Sequence, residues 1–271
     1  MKHVNRTITI LVFIFLYIPM IVLAIASFNT GTDIATFKGF TFRQYANLFR
    51  DSTLLTLLRN SLIIALLSTL VSTIVGTMAA VGIHGMKGRL RSAVMTMTNI
   101  PMTNPDIVTG VALALLFAFA GTMLKTNSVL GFWTLLIAHI TFNLPYVILN
   151  VMPKLQQMDK DLVEAALDLG CTPAQVFSKV ILPLSGPGIL SGITMVFVPA
   201  VSTFYISQKL GSTGTTLIGD VIESQFKTAY NPNLGAAMSL VLMVLIFICV
   251  AIMNHFRSEE RRVGKECRSR W

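Results

Sequence analysis

Six long apolar segments constrain the fold of this sequence more than any other feature. Each has roughly the 20 residues that a helix needs to cross the hydrocarbon core of a bilayer. The runs are continuous and do not alternate with period two, which favours helices over a membrane barrel, because each helix satisfies its own backbone hydrogen bonds. The sequence therefore predicts an all-α integral membrane protein with one transmembrane domain over residues 1–256 and spans at residues 8–27, 61–81, 94–120, 129–152, 188–206 and 234–253.

The composition agrees with a membrane protein. Hydrophobic residues make up 54% of the 271 residues and charged residues only 12%, which is far more apolar than an ordinary soluble domain. The first segment follows Lys2 and Arg6 as a signal peptide would. Its apolar run is longer than that of a signal peptide and no small-residue cleavage site follows it, so we expect a retained helix. The three cysteines have no spacing typical of a metal site or a disulfide framework.

The last fifteen residues, 257–271, differ abruptly from the apolar segment before them, because RSEERRVGKECRSRW contains six basic and three acidic residues. Basic residues after a last span are typical of the cytoplasmic side of a membrane. The string also resembles the translation of a common sequencing adapter, so we expect it not to belong to the native fold. The formal net charge of +9 therefore does not indicate a nucleic-acid partner or a lipid-binding tail.

An even number of spans places both chain ends on the same side of the membrane. One face then carries eight basic residues, at the N-terminus, in a short loop and within residues 154–179, while the other carries seven, mostly in longer loops. The dense short loop with Lys87, Arg89 and Arg91 favours a cytoplasmic position for the first face, because short cytoplasmic loops are enriched in Lys and Arg. The N-terminus is therefore predicted to be cytoplasmic.

The connection at residues 154–187 is too polar to span a membrane and is predicted to form a helical hairpin. Apolar residues recur at i, i+3, i+4 and i+7 opposite an acidic side, which indicates a short amphipathic helix with the stripe Leu162, Ala165, Ala166 and Leu169. Gly170 is predicted to end this helix. A second helix is predicted to begin with Thr172 as N-cap, Pro173 at the first position and Gln175 completing a capping box. Amphipathicity alone leaves open that the hairpin merely links two spans.

The hairpin also carries a spaced motif: Glu164-Ala165-Ala166, three residues, Gly170, nine residues, Val180, one residue, and Leu182-Pro183. This pattern resembles the EAA motif of the permease subunits of binding-protein-dependent ABC importers, which have the MetI-like fold. Only Val180 departs from it, standing where isoleucine is usual. The resemblance implies that the hairpin is a cytoplasmic element that couples the permease to a separate ATP-binding subunit through Glu164, Ala165, Ala166, Gly170, Leu182 and Pro183.

Further segments, NPDIV at 104–108, GFW at 131–133 and HITFNLPY at 139–146, resemble the PotC-type permease of spermidine/putrescine importers. That resemblance implies a bacterial inner-membrane protein that works with a PotB-type second permease and an extracytoplasmic substrate-binding protein. One region departs from it. Where the PotC type usually has an acidic pair in the fifth span, residues 198–205 read VPAVSTFY, which is more similar to the PotB-type partner.

Asp106 is predicted to lie near the middle of the third span, beside Pro101 and Pro105, which should interrupt the helix. A carboxylate at that depth should face a cavity or a partner rather than lipid. We interpret Asp106 as a counter-charge on a pathway for a polyamine, flanked by the aromatic residues Tyr146 and Tyr205. The alternative is a structural acid, capped by a helix N-terminus or paired with a basic residue.

Other polar and small residues in and near the spans have less specific interpretations. His139 and Asn143 share one helix face and are predicted to make interhelical hydrogen bonds rather than to contact substrate. Gly188 and Gly192 predict close helix packing, within this chain or against a second permease. Asp220 and Glu223, in the connection before the last span, are expected to be solvated charges, with contact to a substrate-delivery protein as the alternative.

The sequence excludes ATP hydrolysis by this chain, because it contains no phosphate-binding loop of the G-x-x-x-x-G-K-[ST] type. We therefore expect a permease that is not an enzyme and binds no cofactor, with ATP used by the partner subunit. Three alternatives remain: a permease for another small solute, a self-sufficient secondary transporter, and an intramembrane enzyme. The last is disfavoured because His139 and Asp106 form no protease or metal constellation.

Overall fold

The computed structural model describes residues 2–269 apart from 32, 35, 126–129, 212–214 and 230. The described chain is helical, with one isolated antiparallel bridge between Asn29 and Phe40. Its helices are α1 (Lys2–Ser27), α2 (Arg43–Arg50), α3 (Ser52–His84), α4 (Gly88–Thr103), α5 (Asp106–Met123), α6 (Phe132–Gln157), α7 (Lys160–Asp168), α8 (Pro173–Val176), α9 (Leu182–Ser202), α10 (Tyr205–Leu210), α11 (Ile218–Lys227) and α12 (Pro232–Ser269). A π-helical turn, Phe177–Ile181, joins α8 to α9.

Six helical stretches within the described residues are long and apolar enough to cross a membrane: Arg6–Ser27, Ser52–His84, Asp106–Met123, Phe132–Gln157, Pro173–Ser202 and Pro232–His255. The predicted all-α class and the number of spans are thus confirmed. The first stretch exposes nearly all its apolar side chains, which requires a lipid or protein environment around it.

Helices α3, α6 and α9 pack against one another and form the centre of the bundle, while α1 packs against α12. Small residues allow the close approach. A Cβ added at Gly76 of α3 would lie 2.7 Å from Val147 Cγ1 of α6, and one at Gly188 of α9 would lie 3.0 Å from the Asn150 carbonyl oxygen. One at Gly192 would lie 3.6 Å from the Val147 Cα. The predicted close packing at Gly188 and Gly192 is therefore confirmed, and it lies within this chain.

The predicted third span at residues 94–120 is wrong as a single helix. The chain forms α4 and α5 with a break at Asn104, whose ψ of 139° is extended. Pro105 follows the break, and a proline disfavours helical geometry in the residue before it. Pro101, in contrast, is accommodated inside α4. Asp106 is consequently the first residue of α5 rather than an interior residue of one long helix.

The predicted fifth span at residues 188–206 also has different bounds. Helix α9 ends at Ser202, Thr203 is extended with ψ of 143°, and α10 begins at Tyr205. At its other end the span continues back through the π-helical turn into α8, so that Pro173–Ser202 forms one helical stretch. The third span is therefore divided into α4 and α5. The fifth span ends at Ser202, before α10, and is continuous with α8 at its start.

Asp220 and Glu223 of α11 are not the solvated charges that we expected. Asp220 is 7% exposed, and its Oδ2 accepts hydrogen bonds from the Ser207 hydroxyl at 2.5 Å and the Leu217 N–H at 3.1 Å. Glu223 forms an ion pair with Lys227 at 2.5 Å and accepts a 2.5 Å hydrogen bond from Gln208. Both carboxylates thus fasten α11 to its surroundings.

Candidate functional site

The breaks in the third and fifth spans lie side by side. A Cβ added at Gly110, in the second turn of α5, would lie 3.7 Å from the Tyr205 carbonyl oxygen and 3.7 Å from the Ile206 Cα. A methyl group at this position would make ordinary van der Waals contact with α10, so α5 and α10 pack closely beside the two breaks. Broken helices at membrane depth are tolerated where they line a cavity, and the two breaks of this chain do so.

A cavity of about 210 Å³ lies between the start of α5, the middle of α6 and the end of α9. It is far larger than the share of one water molecule, about 30 Å³. Its described lining residues are Asp106, His139, Phe142, Asn143, Pro199, Ala200, Ser202, Thr203, Phe204, Tyr205 and Ile206. The structure thus brings together Asp106 and Tyr205, two of the three residues predicted for a substrate pathway.

Tyr146, the third predicted pathway residue, does not line the cavity itself. It lies one turn along α6 from Phe142, with the two ring centroids 5.8 Å apart, and it is close enough to Asp106 to interact with the charge of that carboxylate. Phe204 and Tyr205 form a second aromatic pair, with centroids 4.1 Å apart. Aromatic rings from α6 and from the start of α10 therefore line the cavity together with the carboxylate.

The electrostatics of the cavity favour a cation. Asp106 is the only acidic or strongly basic residue among its described lining residues. The last turn of α9, which includes Pro199 and Ser202, also lines the cavity. The C-terminal end of a helix carries partial negative charge. Aromatic rings add attraction for a cation above their faces.

His139 and Asn143 line the same cavity, and the interhelical hydrogen bonds predicted for them are absent among the described residues. His139 Nδ1 lies 2.8 Å from the Leu135 carbonyl oxygen of its own helix. His139 Nε2 and Asn143 Nδ2 are buried without a hydrogen-bond partner in the described chain. Sequence reasoning missed both as cavity residues, although their i, i+4 spacing in an apolar span was a usable signal.

The predicted helical hairpin is confirmed in its local structure. Helix α7 ends before Gly170, whose φ of +81° is the left-handed geometry that glycine adopts without strain. Helix α8 starts with the predicted capping box, in which the Thr172 N–H donates to Gln175 Oε1 at 2.9 Å. The Gln175 N–H donates to Thr172 Oγ1 at 3.4 Å.

Most of the apolar stripe of the hairpin is exposed. Leu162 is 48% exposed and Leu169 is 86% exposed, whereas Ala166 is buried. Glu164 and Ala165 are exposed beside them. Leu182 is 39% exposed and Pro183 follows it in the first turn of α9, directly after the π-helical turn. Exposed apolar side chains rimmed by charges are typical of a protein-binding surface.

A six-span helical bundle with two interrupted spans around a cavity that holds one carboxylate, and a helical hairpin at one end, defines a membrane permease. Residues 72–262 match the family described as binding-protein-dependent transport system inner membrane component. The chain belongs to this family of ABC importer permeases, and the resemblance found in the sequence is confirmed.

Two curated relatives extend the match over most of the chain. The spermidine/putrescine transport system permease protein PotC of Haemophilus influenzae is 34% identical over 250 residues, which are 90% of this chain and 95% of the relative. The putrescine transport system permease protein PotI of Escherichia coli (strain K12) is 32% identical over 268 residues, covering 97% of this chain and 94% of the relative.

Solved structures confirm the fold. A chain of a bacterial ABC transporter involved in the import of the acidic polysaccharide alginate has a TM-score of 0.78 at 17% identity, covering 95% of each chain. A chain of the MetNI methionine ABC transporter in an inward-facing conformation has a TM-score of 0.64 at 18% identity, covering 82% of this chain and 99% of that chain.

Proposed function

We propose that this chain is one permease subunit of an ATP-driven importer of polyamines of the spermidine/putrescine class. The observation that carries the proposal is the cavity in which the Asp106 carboxylate, the carbonyl end of α9 and the aromatic Tyr205 meet. A polyamine is an apolar chain with ammonium groups, so it suits a carboxylate flanked by aromatic faces. Relatives named as spermidine/putrescine permeases support the same substrate class.

Asp106 is exposed in the single chain, so this subunit supplies only part of the wall around the substrate. A second permease, of the PotB type in this proposal, completes the pathway from the other side. A substrate-binding protein delivers the polyamine to the opposite end of the bundle from the hairpin. One solved relative was crystallised as an importer in complex with a pentasaccharide-bound periplasmic protein, and an assembly of that kind supports these partners.

The hairpin formed by α7 and α8 docks onto a cytoplasmic ATP-binding subunit. Its exposed face presents Leu162, Leu169 and the Glu164 carboxylate to that partner. Gly170 supplies the turn that holds the two helices together. This chain needs no ATP site of its own, because the partner hydrolyses ATP and the hairpin transmits the resulting movement.

The hairpin end of the bundle faces the cytoplasm of a bacterial cell, and with it the N-terminus. The loop with Lys87, Arg89 and Arg91 lies at that same end, because the Arg91 guanidinium donates a 3.7 Å hydrogen bond to the Met152 sulfur near the end of α6. Basic short loops favour the cytoplasmic side, so charge and hairpin support the same orientation.

The proposal is tested by reconstituting the chain in proteoliposomes with its ATP-binding subunit, its second permease and its binding protein. Uptake of labelled spermidine and putrescine should require ATP and the binding protein. A neutral sugar and methionine serve as controls. Transport of one of these solutes without polyamine uptake would replace the substrate class while leaving the family unchanged.

A further inference from the structure

Two polar atoms of residues that line the cavity together with Asp106 are unsatisfied. His139 and Asn143 are each 2% exposed, and His139 Nε2 and Asn143 Nδ2 have no hydrogen-bond partner among the described residues. A buried polar group without a partner costs about 1–3 kcal/mol, so such groups in native structures call for an explanation. Both residues line the cavity, which indicates that they bind an occupant of it.

The hydrogen-bond chemistry of His139 is fixed by its own helix. Its Nδ1 lies 2.8 Å from the Leu135 carbonyl oxygen, and a carbonyl can only accept, so the hydrogen of the neutral imidazole is on Nδ1. The other nitrogen, Nε2, then carries a lone pair and is an acceptor. His139, which lines the cavity, therefore has an unpaired acceptor rather than a donor at Nε2.

Asn143 adds a second acceptor on the same side of α6. It lies four residues after His139, one helical turn of about 5.4 Å along the axis. Its amide has an acceptor oxygen beside the unpartnered NH₂ group, and rotation of the amide can present either to the cavity. The Asp106 carboxylate, at the start of α5, is a third acceptor among the lining residues.

Three acceptors around one cavity match a primary ammonium group, which has three N–H donors and no acceptor. We propose that Asp106, His139 Nε2 and the Asn143 amide oxygen bind one terminal ammonium group of the transported cation. This inference rests on the proposed polyamine function and deepens it, because it makes His139 and Asn143 specificity-determining residues. The site distinguishes primary ammonium ends from N-methylated ends, since each methyl group removes a donor and leaves one acceptor unpaired.

The test compares uptake of putrescine with uptake of analogues in which both terminal amines carry one, two or three methyl groups, by the complete reconstituted importer. The binding protein is saturated with each amine, so that its own affinity does not set the rates. The wild-type importer should favour putrescine over the trimethylated analogue by about tenfold to a hundredfold, the range expected for hydrogen bonds to a charged group. Equal rates for all four amines would overturn the site.

Variants assign the discrimination to this chain. His139→Leu should lower the ratio of the two rates severalfold, because one of the three acceptors is removed, and His139→Gln, which retains an acceptor, should keep most of it. Thr141→Val is the matched control, because Thr141 is on the exposed side of α6 and bonds only to Ile137 of its own helix among the described residues. If His139→Leu leaves the ratio of putrescine uptake to trimethylated-analogue uptake unchanged, the inference is contradicted, even if both amines are transported at normal rates.

The possible failures are distinguishable. If the wild-type importer transports no amine, the proposed polyamine function fails. If it transports putrescine but ignores methylation, the function stands and the ammonium site fails. If His139→Leu does not assemble, two measurements decide. The wild-type importer must discriminate across the methylation series, and the Asn143→Leu importer must discriminate less than wild type.

Discussion

The Ser207 hydroxyl of α10 donates a 2.5 Å hydrogen bond to the buried Asp220 carboxylate of α11. Next to it, the Ile218 N–H donates a 2.8 Å hydrogen bond to the Ser61 hydroxyl of α3. These contacts fasten α11 to α10, the short helix that begins at the cavity, and to the central helix α3. Helix α11, in the connection before the last span, therefore helps to hold α10 in place at the cavity.

This buried carboxylate makes stability depend on pH. Burial raises the pKa of Asp220, and the charge of Glu223 acts in the same direction, against the hydrogen bonds from Ser207 and Leu217. The folded protein thus holds the proton more tightly than the unfolded chain. The stabilising free energy that protonated Asp220 contributes is fully present below about pH 4, and it is lost as the pH rises through the raised pKa.

We therefore predict that the melting temperature of Asp220→Asn, measured relative to wild type in detergent, rises as the pH increases from about 4 to 7. The asparagine amide can accept from Ser207 but does not ionise. Asp168→Asn, on the exposed surface of α7, should show no such trend. A difference in melting temperature that is constant with pH would contradict a raised pKa for Asp220.

Packing between α3 and α6 gives a second prediction. Gly76→Ala should destabilise the protein by about 1–3 kcal/mol, because the new Cβ would lie 2.7 Å from Val147 Cγ1. Val147→Ala in the same chain should recover part of the loss. Gly82→Ala is the control, since its Cβ would meet nothing within 4 Å; it should be neutral or slightly stabilising. Thermal unfolding of the three variants measures the effect.

The hairpin gives a third prediction. It separates the backbone conformation at residue 170 from the requirement for glycine itself. Gly170→Val places a β-branched residue at φ of +81°, at a cost of roughly 1–2 kcal/mol, and should abolish stimulation of ATP hydrolysis by loaded binding protein. Gly170→Asn tolerates this geometry and should retain stimulation. Glu164→Arg should also uncouple transport, by reversing a charge at the docking surface. Normal stimulation in both Gly170→Val and Glu164→Arg would rule out the hairpin as the coupling element.

The segment at residues 258–271 gives a fourth prediction. If it is adapter-derived, its deletion should leave assembly and spermidine uptake unchanged within the error of the assay. Independent sequencing of the locus is the direct check. Recovery of the same codons from a second clone, or loss of assembly on deletion, would show that the segment is native.

The hairpin was predictable from sequence because its determinants are local. Thr172, Pro173 and Gln175 make a capping box among themselves, and Gly170 supplies a conformation that its neighbours cannot. The number of spans was predictable for a similar reason, since length and apolarity are properties of single segments. In these parts of the chain no distant contact had to be known.

The cavity was only partly predictable, because its geometry depends on contacts between distant segments. Pro105 predicted a break, but the packing of α5 against α10 joins segments that are far apart in the sequence. Nothing local in Thr203 indicates the end of α9. The buried Asp220 is hydrogen-bonded to Ser207, thirteen residues away, and the cavity beside His139 is formed with residues of α5 and α9.

The role of Asp106 is the central claim, and the variant Asp106→Asn tests it most directly. The amide keeps the shape of the side chain and removes its charge. Labelled-spermidine uptake is measured in proteoliposomes and normalised to assembled complex, with ATP hydrolysis recorded in parallel and Asp51→Asn, a helix cap at the start of α3, as the control substitution. We predict a large loss of uptake per complex at normal yield. Normal uptake per assembled complex, with or without a lower yield, would contradict a counter-charge on the pathway and make Asp106 a structural residue.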